Sequence, residues 1–483
     1  MQPTDMTLAE LATALNAKKI SALDLTNFYL NRIDTTNETL NSFITVTADH
    51  ARERAQHAQK EIDTGNAGAL TGIPYAAKDL FATKGILTTA ASNVLTEYVP
   101  PYNATVIEDL VDAPMLGKVN MDDAAMGTTG EYSAFGATKN PYSLKHVAGG
   151  SSSGSVASVA SGQAPWALAT DTGGSIRLPA GFTHTVGFKP TYGTYSRFGV
   201  LAMASSLDTV GTITRSVEDA AYVLEHLAHR DPLDTTTRDV ENQKGLTERV
   251  KQGDLRGMKF GVPKEFMELD GMNPAVKESF MLALQKIQHA GAEIIEVSLP
   301  HAPYAINAYY VIVPAEISSN MARYDGLQFG TRGDGKTLDD VILSARSKFG
   351  AEVKRRILVG TYTLSAGYDD KLYHIASKVR TLIINDFAAA FTQVDAILCP
   401  SAPNTAFKLG ENADDPLAMW LADIFTAPMN LAGVPGITIP GPLANGMPAG
   451  IQCIGPYAQD EQTLRAAYAI EQLLQVSPPA LAV

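Results

Sequence analysis

The sequence predicts an α/β fold built around one large, mostly buried sheet. Three observations lead there. From Leu70 onward, short apolar runs alternate with helical patterns. The helices between the runs have legible starts and stops. Hydrophobic residues make up 45% of the 483 and charged residues 18%, enough apolar material for a large core and too little charge for a disordered chain.

The N-terminal part opens the order of elements. Leu8, Leu11 and Leu15 fall at helical spacing between Thr7 and Lys18. Ser21 with Asp24 reads as a helix cap, and predicts a second helix to about Asp34. The charged, Ala-rich stretch from Ala48 to Asp63 predicts a solvated third helix. Residues 1–65 are therefore expected to form a helical layer for packing or docking, and residues 66–483 one catalytic core. Strand-like runs follow at Ile73–Ala77, Ala113–Val119, Trp166–Thr170, Lys259–Pro263, Glu293–Val297, Ala396–Cys399, Gly436–Pro440 and Ile451–Ile454. One helix between them starts at Asn273-Pro274 and stops at Gly291, and another starts at Ser216 with Asp219 three residues on. The polar stretch 230–256 is expected to be a surface excursion between two parts of one core.

Charge and cysteines narrow the function. A net charge of −13 does not suit a direct grip on nucleic acid, which needs clustered Lys and Arg. The two cysteines, Cys399 and Cys453, are far apart and form no CxxC, so no zinc ribbon or thioredoxin-like motif is supported. The opening residues lack a signal-peptide apolar region, and no run approaches the ~20 apolar residues of a membrane helix. A cytoplasmic protein with no membrane role is expected.

Two Gly/Ser segments carry the chemistry: Gly149-Gly150-Ser151-Ser152-Ser153-Gly154 and Asp171-Thr172-Gly173-Gly174-Ser175-Ile176-Arg177. Both are expected at element ends, where glycines let backbone N–H groups converge. The N–H groups of Thr172, Gly173 and Gly174 suit an oxyanion hole. A flexible linker is one alternative, though linkers do not usually lie between apolar strands of a core. A phosphate cradle is another, but no GxxxxGK[ST] is present. Residues 150–154 also match GxSxG, the nucleophile elbow with Ser152 at its centre. That motif should follow a buried strand, and Pro141–His146 is a poor one. It also needs a later acid and histidine, and none of His184, His226, His229, His289, His301 or His374 has a distinctive setting.

The stretch from Gly149 to Ala180, with DTGGSIR matching in full, resembles the amidase signature family. The resemblance implies a single large mixed sheet covered by helices. It implies Ser175 as nucleophile, Ser151 as a bridging serine beside a cis peptide, and Lys78 in GIPYAAKDL as the base. Ser153 departs from the glycine usual at its position. The physics of such a triad is coherent. A serine hydroxyl needs a base within reach, and lysine serves only when neutral. Bringing its pKa near 7 takes roughly three units, or about 4 kcal/mol, which burial supplies. The alternative for Lys78 is a surface ion pair with Asp79. No metal is expected.

Beyond the signature, SAFGATKNP, GFKPTYGTYSRFGV, YYVIVPAEISSNMARYDGLQFGTR, EVKRRILVGTYTLSAGY and DDPLAMWLADIFTAPMNLAGVPGITIP resemble one branch of that family. It comprises the glutamine-hydrolysing A subunits of bacterial aspartyl/glutamyl-tRNA amidotransferases. This likeness implies L-glutamine as substrate, held by Tyr309, Arg356 and Asp423. It implies a heterotrimer in which a B-type subunit holds tRNA, ATP and Mg, a small C-type subunit braces the pair, and this chain carries no cofactor. Arg356, next to Arg355, has the alternative of a surface charge. Asp423 has that of a structural partner to a buried donor. A free-standing amidase of small carboxamides is the alternative function.

Overall fold

The computed structural model describes residues 2–240, 243–365, 371–412 and 415–483. Thirteen strands are present among them, in chain order β1 (Phe43–Val46), β2 (Tyr75–Lys78), β3 (Met115–Val119), β4 (Lys139–Asn140), β5 (Ser143–Val147), β6 (Ala167–Asp171), β7 (Val186–Lys189), β8 (Thr209–Thr214), β9 (Lys259–Pro263), β10 (Glu293–Val297), β11 (Ala396–Pro400), β12 (Gly436–Pro440) and β13 (Gly450–Ile454). Eleven of them form one sheet in the order β1-β3-β2-β6-β8-β7-β12-β13-β11-β9-β10. The sheet is mixed. β3, β2 and β6 run parallel, as do β11, β9 and β10, and antiparallel pairs join the two halves. β2, β6 and β8 in its middle are buried along their whole length. The expected α/β architecture with one large mixed sheet is what the chain adopts.

All eight expected strands are present, three with the expected bounds and the others shifted by one or two residues at one or both ends. Three sheet strands lie outside the expectation. β1 comes from within the expected helical layer and pairs antiparallel with β3 at the sheet's edge. β8, TVGTIT, is rich in threonine and glycine, and β7, VGFK, is four residues ending on a lysine; both give little apolar signal although both are buried. β5 is a strand where a poor one was expected. It belongs to a two-stranded ribbon with β4, and only its last residue, Val147, is buried.

The helices follow their caps. Thr7 and Ser21 accept hydrogen bonds from Glu10 N and Asp24 N ahead of helices Leu8–Asn16 and Ala22–Leu40. The second runs six residues past its expected end and stops at Asn41 in the left-handed region. The third, Ala48–Thr64, is solvated on one face only, with Ala51, Ala55, Ala58 and Ile62 buried. Asn273 and Ser216 cap Pro274–His289 and Val217–Leu227 as expected. The 230–256 excursion is anchored to the core. Asp231 accepts hydrogen bonds from Thr105 Oγ1 and Ser196 Oγ at 2.6 and 2.5 Å, and Asp234 accepts one from Arg197 N at 2.8 Å.

No helix among the described residues is long and apolar enough to cross a membrane.

Candidate active site

Lys78 ends β2, in the middle of the sheet, and is fully buried. Its Nζ lies 2.8 Å from Ser151 Oγ, 2.9 Å from Ser152 Oγ and 3.0 Å from Thr170 Oγ1. Burial pushes its pKa down to about 7, while the charges of Asp122, Asp171 and Asp208 pull the other way. The ion pair considered with Asp79 is not formed. Asp79 pairs instead with Lys118 at 3.3 Å, both groups fully buried.

Ser151 and Ser152 lead into the short helix Ser153–Ala160, and the Gly150–Ser151 peptide is cis. Asp122 fixes this loop from beneath. Its N–H donates to Ser151 O at 3.2 Å, and its carboxylate accepts from Gly130 N and Tyr132 N, each at 3.0 Å. A Cβ on Gly150 would fall 2.0 Å from Asp122 Oδ2, so the backbone can pass this carboxylate only as glycine. Ser153 is housed without distortion. Its hydroxyl donates to Thr138 Oγ1 at 3.1 Å, and Gly130 faces its Cβ.

The second segment leaves β6 and turns into the helix Arg177–Phe182. Asp171 holds the turn at both ends. Its carboxylate accepts from Ile176 N at 3.1 Å and pairs with Arg177 through Nε at 3.0 Å and Nη2 at 2.9 Å. Burial raises the Asp171 pKa, but Arg177 outweighs it and holds the carboxyl below its usual range. Asn430 Oδ1, Gln452 Oε1, Thr426 O and Met429 Sδ take the other hydrogen bonds of the Arg177 guanidinium. The result is a rigid, fully hydrogen-bonded base under an open loop. Thr172 Oγ1 is used to donate to Asp208, at 2.7 Å. The N–H groups of Gly173, Gly174 and Ser175 make no hydrogen bond among the described residues. They are available to one incoming oxygen. Ser175 is the least buried residue of the turn, and its hydroxyl has no hydrogen-bond partner among the described residues. The structure thus joins Lys78 to Ser151 and leaves the Ser151–Ser175 link unmade.

Tyr309 and Asp423 come from far along the chain and reach this turn, and Arg356 lies near enough for its charge to act on both. A Cβ on Gly173 would lie 2.5 Å from Tyr309 Oη, and one on Gly174 would lie 2.8 Å from Asp423 Oδ1. Both glycines are therefore required by close approach, and Gly174 also sits at φ +149°. Asp423 lies between the helices Pro416–Leu421 and Ala427–Ala432. Its carboxylate accepts from Thr426 Oγ1 at 3.3 Å. Burial and the neighbouring Asp171 charge push its pKa up to about 8, against Arg356 and Arg177. Arg356 is 3% exposed, so it is not the surface charge considered for it, whereas Arg355 is half-exposed. Arg356 Nε donates to Glu352 Oε1 at 2.8 Å.

The elbow geometry is absent. Ser152 is fully buried and its hydroxyl donates to Thr170 O at 3.2 Å. The strand before it is the outlying β5. His184, His229, His289 and His301 are bonded to Val476 O, Asp109, Gln285 O and Asp386, and His226 packs on Tyr222. A cleft of about 980 Å³, lined by Arg238, Arg249, Asp254 and Asp460 among others, contains none of the residues named for the site.

Sequence reasoning does not reach several residues that complete the site. Thr170 and Ser152 share the Lys78 ammonium. Asp122 and Asp208 set its field. The signal for the Asp171–Arg177 pair is in the motif itself, because DTGGSIR begins and ends with opposite charges around a turn.

The Amidase family model matches residues 24–464. The A subunit of a glutamyl-tRNA(Gln) amidotransferase from Geobacter metallireducens is 48% identical over 480 residues, 98% of either chain. The crystal structure of the corresponding A subunit from Thermotoga maritima, also of a glutamyl-tRNA(Gln) amidotransferase, is 39% identical, with a TM-score of 0.81 over 98% of this chain and 95% of that one. The peptide amidase of Stenotrophomonas maltophilia is 29% identical, with a TM-score of 0.84 over 99% of each chain. By the extent of the family match and by identity over nearly its whole length, the chain belongs to the Amidase family.

Proposed function

We propose that the chain hydrolyses glutamine as the A subunit of a tRNA-dependent amidotransferase, releasing ammonia to amidate misacylated Glu-tRNA(Gln), Asp-tRNA(Asn) or both. The single observation that carries this reading is the approach of Tyr309 and Asp423 to the Ser175 turn, with Arg356 buried where its charge acts on both. The identity of about half with relatives that bear this subunit's name supports it.

In this reading Ser175 Oγ attacks the carboxamide carbon. Its proton passes to Ser151 as Ser151 gives its own to neutral Lys78. The Ser151–Ser175 link closes once substrate is in place. The N–H groups of the 172–175 turn hold the oxyanion. As the intermediate collapses, the proton on Lys78 returns through Ser151 to the departing nitrogen, and ammonia leaves. Water then enters by the same relay, splits the acyl-enzyme and releases glutamate. Arg356 holds the substrate carboxylate, and Asp423 and Tyr309 hold its ammonium end. The site needs no cofactor of its own. ATP, Mg and tRNA fall to a B-type subunit, with a C-type subunit completing a cytoplasmic heterotrimer, which suits the net charge of −13.

Two outcomes follow for the substrate pocket. Arg356→Ala raises KM for glutamine roughly 10- to 100-fold, the size of a lost hydrogen bond to a charged group, and leaves KM for a neutral amide such as propionamide nearly unchanged. Equal losses on both substrates contradict the carboxylate role. The second concerns pH. Asp423 titrates at about 8 in the free site. A substrate ammonium beside it favours the carboxylate, so binding expels a proton at lower pH. KM for glutamine therefore rises as pH falls below about 8, and Asp423→Asn flattens that dependence.

The test of the function is a glutamine-hydrolysis assay with components added in turn. Weak turnover by the chain alone, rising markedly with a B-type subunit, ATP and misacylated tRNA, is expected. Fast hydrolysis of many amides, unchanged by partner and tRNA, assigns the chain to the free-standing amidases instead.

A further inference from the structure

Arg356 is held by more than its hydrogen bond to Glu352. The helix Ala351–Thr363 points it inward, and Glu352, one turn earlier, takes its Nε–H. The guanidinium carbon then sits 5.4 Å from the ring centroid of Tyr310, on the helix Ala305–Asn320. On Tyr310 lies Trp420, with ring centroids 4.3 Å apart and planes at 23°. Three separate elements thus contribute one layer each to a stack of guanidinium, phenol and indole. The stack also touches the other substrate groups. Tyr310 follows Tyr309 and meets it edge to face at 5.1 Å. The N–H of Asp423 donates to Trp420 O at 3.2 Å, closing the turn that presents the carboxylate.

The polar atoms of the two aromatic residues show what the rings are for. Tyr310 Oη and Trp420 Nε1 are both buried without a hydrogen-bond partner among the described residues. An orphaned donor in a protein interior is costly, and such residues are ordinarily placed where the polar tip finds a partner. Here the faces are used and the tips are not. A guanidinium stripped of water is attracted to an aromatic face, and a second ring behind the first fixes its plane.

We propose that Tyr310 and Trp420 are positioning residues for Arg356, and that this stack sets the site's preference for amides bearing a carboxylate. The inference rests on the reading of Arg356 as the carboxylate's partner and deepens it. Its content is that specificity for an α-amino acid depends on two side chains that need not touch the substrate. Losing the stack leaves Arg356 charged and present but free to tilt, so binding of a carboxylate weakens while the chemistry at Ser175 is spared.

The experiment is steady-state kinetics on the full chain, purified with the subunits that accompany it, using glutamine and propionamide. Trp420→Leu is expected to raise KM for glutamine roughly tenfold, with kcat within about twofold and propionamide kinetics unchanged. Trp420→Tyr, which restores a ring, returns KM to near the wild-type value. Tyr310→Leu repeats the loss. Tyr310→Phe removes only the orphaned hydroxyl and leaves both substrates unaffected. Should Trp420→Leu melt early, the Tyr310→Phe and Tyr310→Leu pair carries the test. Equal losses on both amides, or Leu and Tyr behaving alike at position 420, overturn the inference. If Arg356→Ala itself fails to separate the two substrates, the carboxylate reading falls first. If Arg356→Ala separates them and Trp420→Leu does not, only the stack is wrong.

Discussion

Lys78→Ala is expected to lower amide turnover by roughly 10²- to 10⁴-fold, the range for losing a positioned general base, while the chain still folds. The expectation follows from position. A lysine ending a central strand, fully buried, with its Nζ shared by three hydroxyls and no carboxylate in contact among the described residues, is set to lose its proton near pH 7. The pH profile gives a second reading of the same claim. Its folded pKa lies below the ordinary lysine value, so the neutral base is present above about 7 and lost as pH falls through it. Turnover at saturating substrate should therefore rise with pH and level off above about 7. A profile flat from pH 5 to 9, or a Lys78→Ala variant that keeps most activity, contradicts the role of Lys78.

Ser175→Ala has the larger expected effect, a loss of roughly 10⁶-fold, as when a nucleophile that acts with its base as one unit is removed. Folding should be preserved. The turn is held by Asp171, Arg177 and Asn430, none of which bonds to the Ser175 hydroxyl. Adding Lys78→Ala to Ser175→Ala should then cost almost nothing more. Additive losses would mean that the two residues do not belong to one relay.

The fold is largely legible in the sequence because most of its sheet strands are buried on both faces, and such strands write themselves as short apolar runs. TVGTIT in β8 escapes that rule. Threonine and glycine suit the pleated backbone and the crowded sheet but carry little hydropathy. Phe43–Val46 escapes it by lying at the edge, where a four-residue strand needs only one buried residue. Lys78 and the two Gly/Ser turns stand out because glycine, serine and a lone lysine are unusual beside apolar strands. Tyr309, Arg356 and Asp423 carry no such local mark. Each lies in an ordinary segment, and only the approach of Tyr309 and Asp423 to Gly173 and Gly174, with Arg356 buried near both, distinguishes them, a tertiary fact that the resemblance stands in for. The open state of the Ser175 hydroxyl is beyond any sequence pattern, because it turns on how far apart two loops come to rest.

The claim at the centre of this account is that Ser175, and not a serine of the 151–153 loop, forms the covalent bond. A fluorophosphonate probe offers the direct test, with digestion of the labelled chain and assignment of the modified residue by mass spectrometry. The expected result is a single adduct on Ser175, absent in Ser175→Ala and slow to form in Lys78→Ala. An adduct on Ser152, persisting in Ser175→Ala, would contradict the account and put the nucleophile in the first Gly/Ser loop.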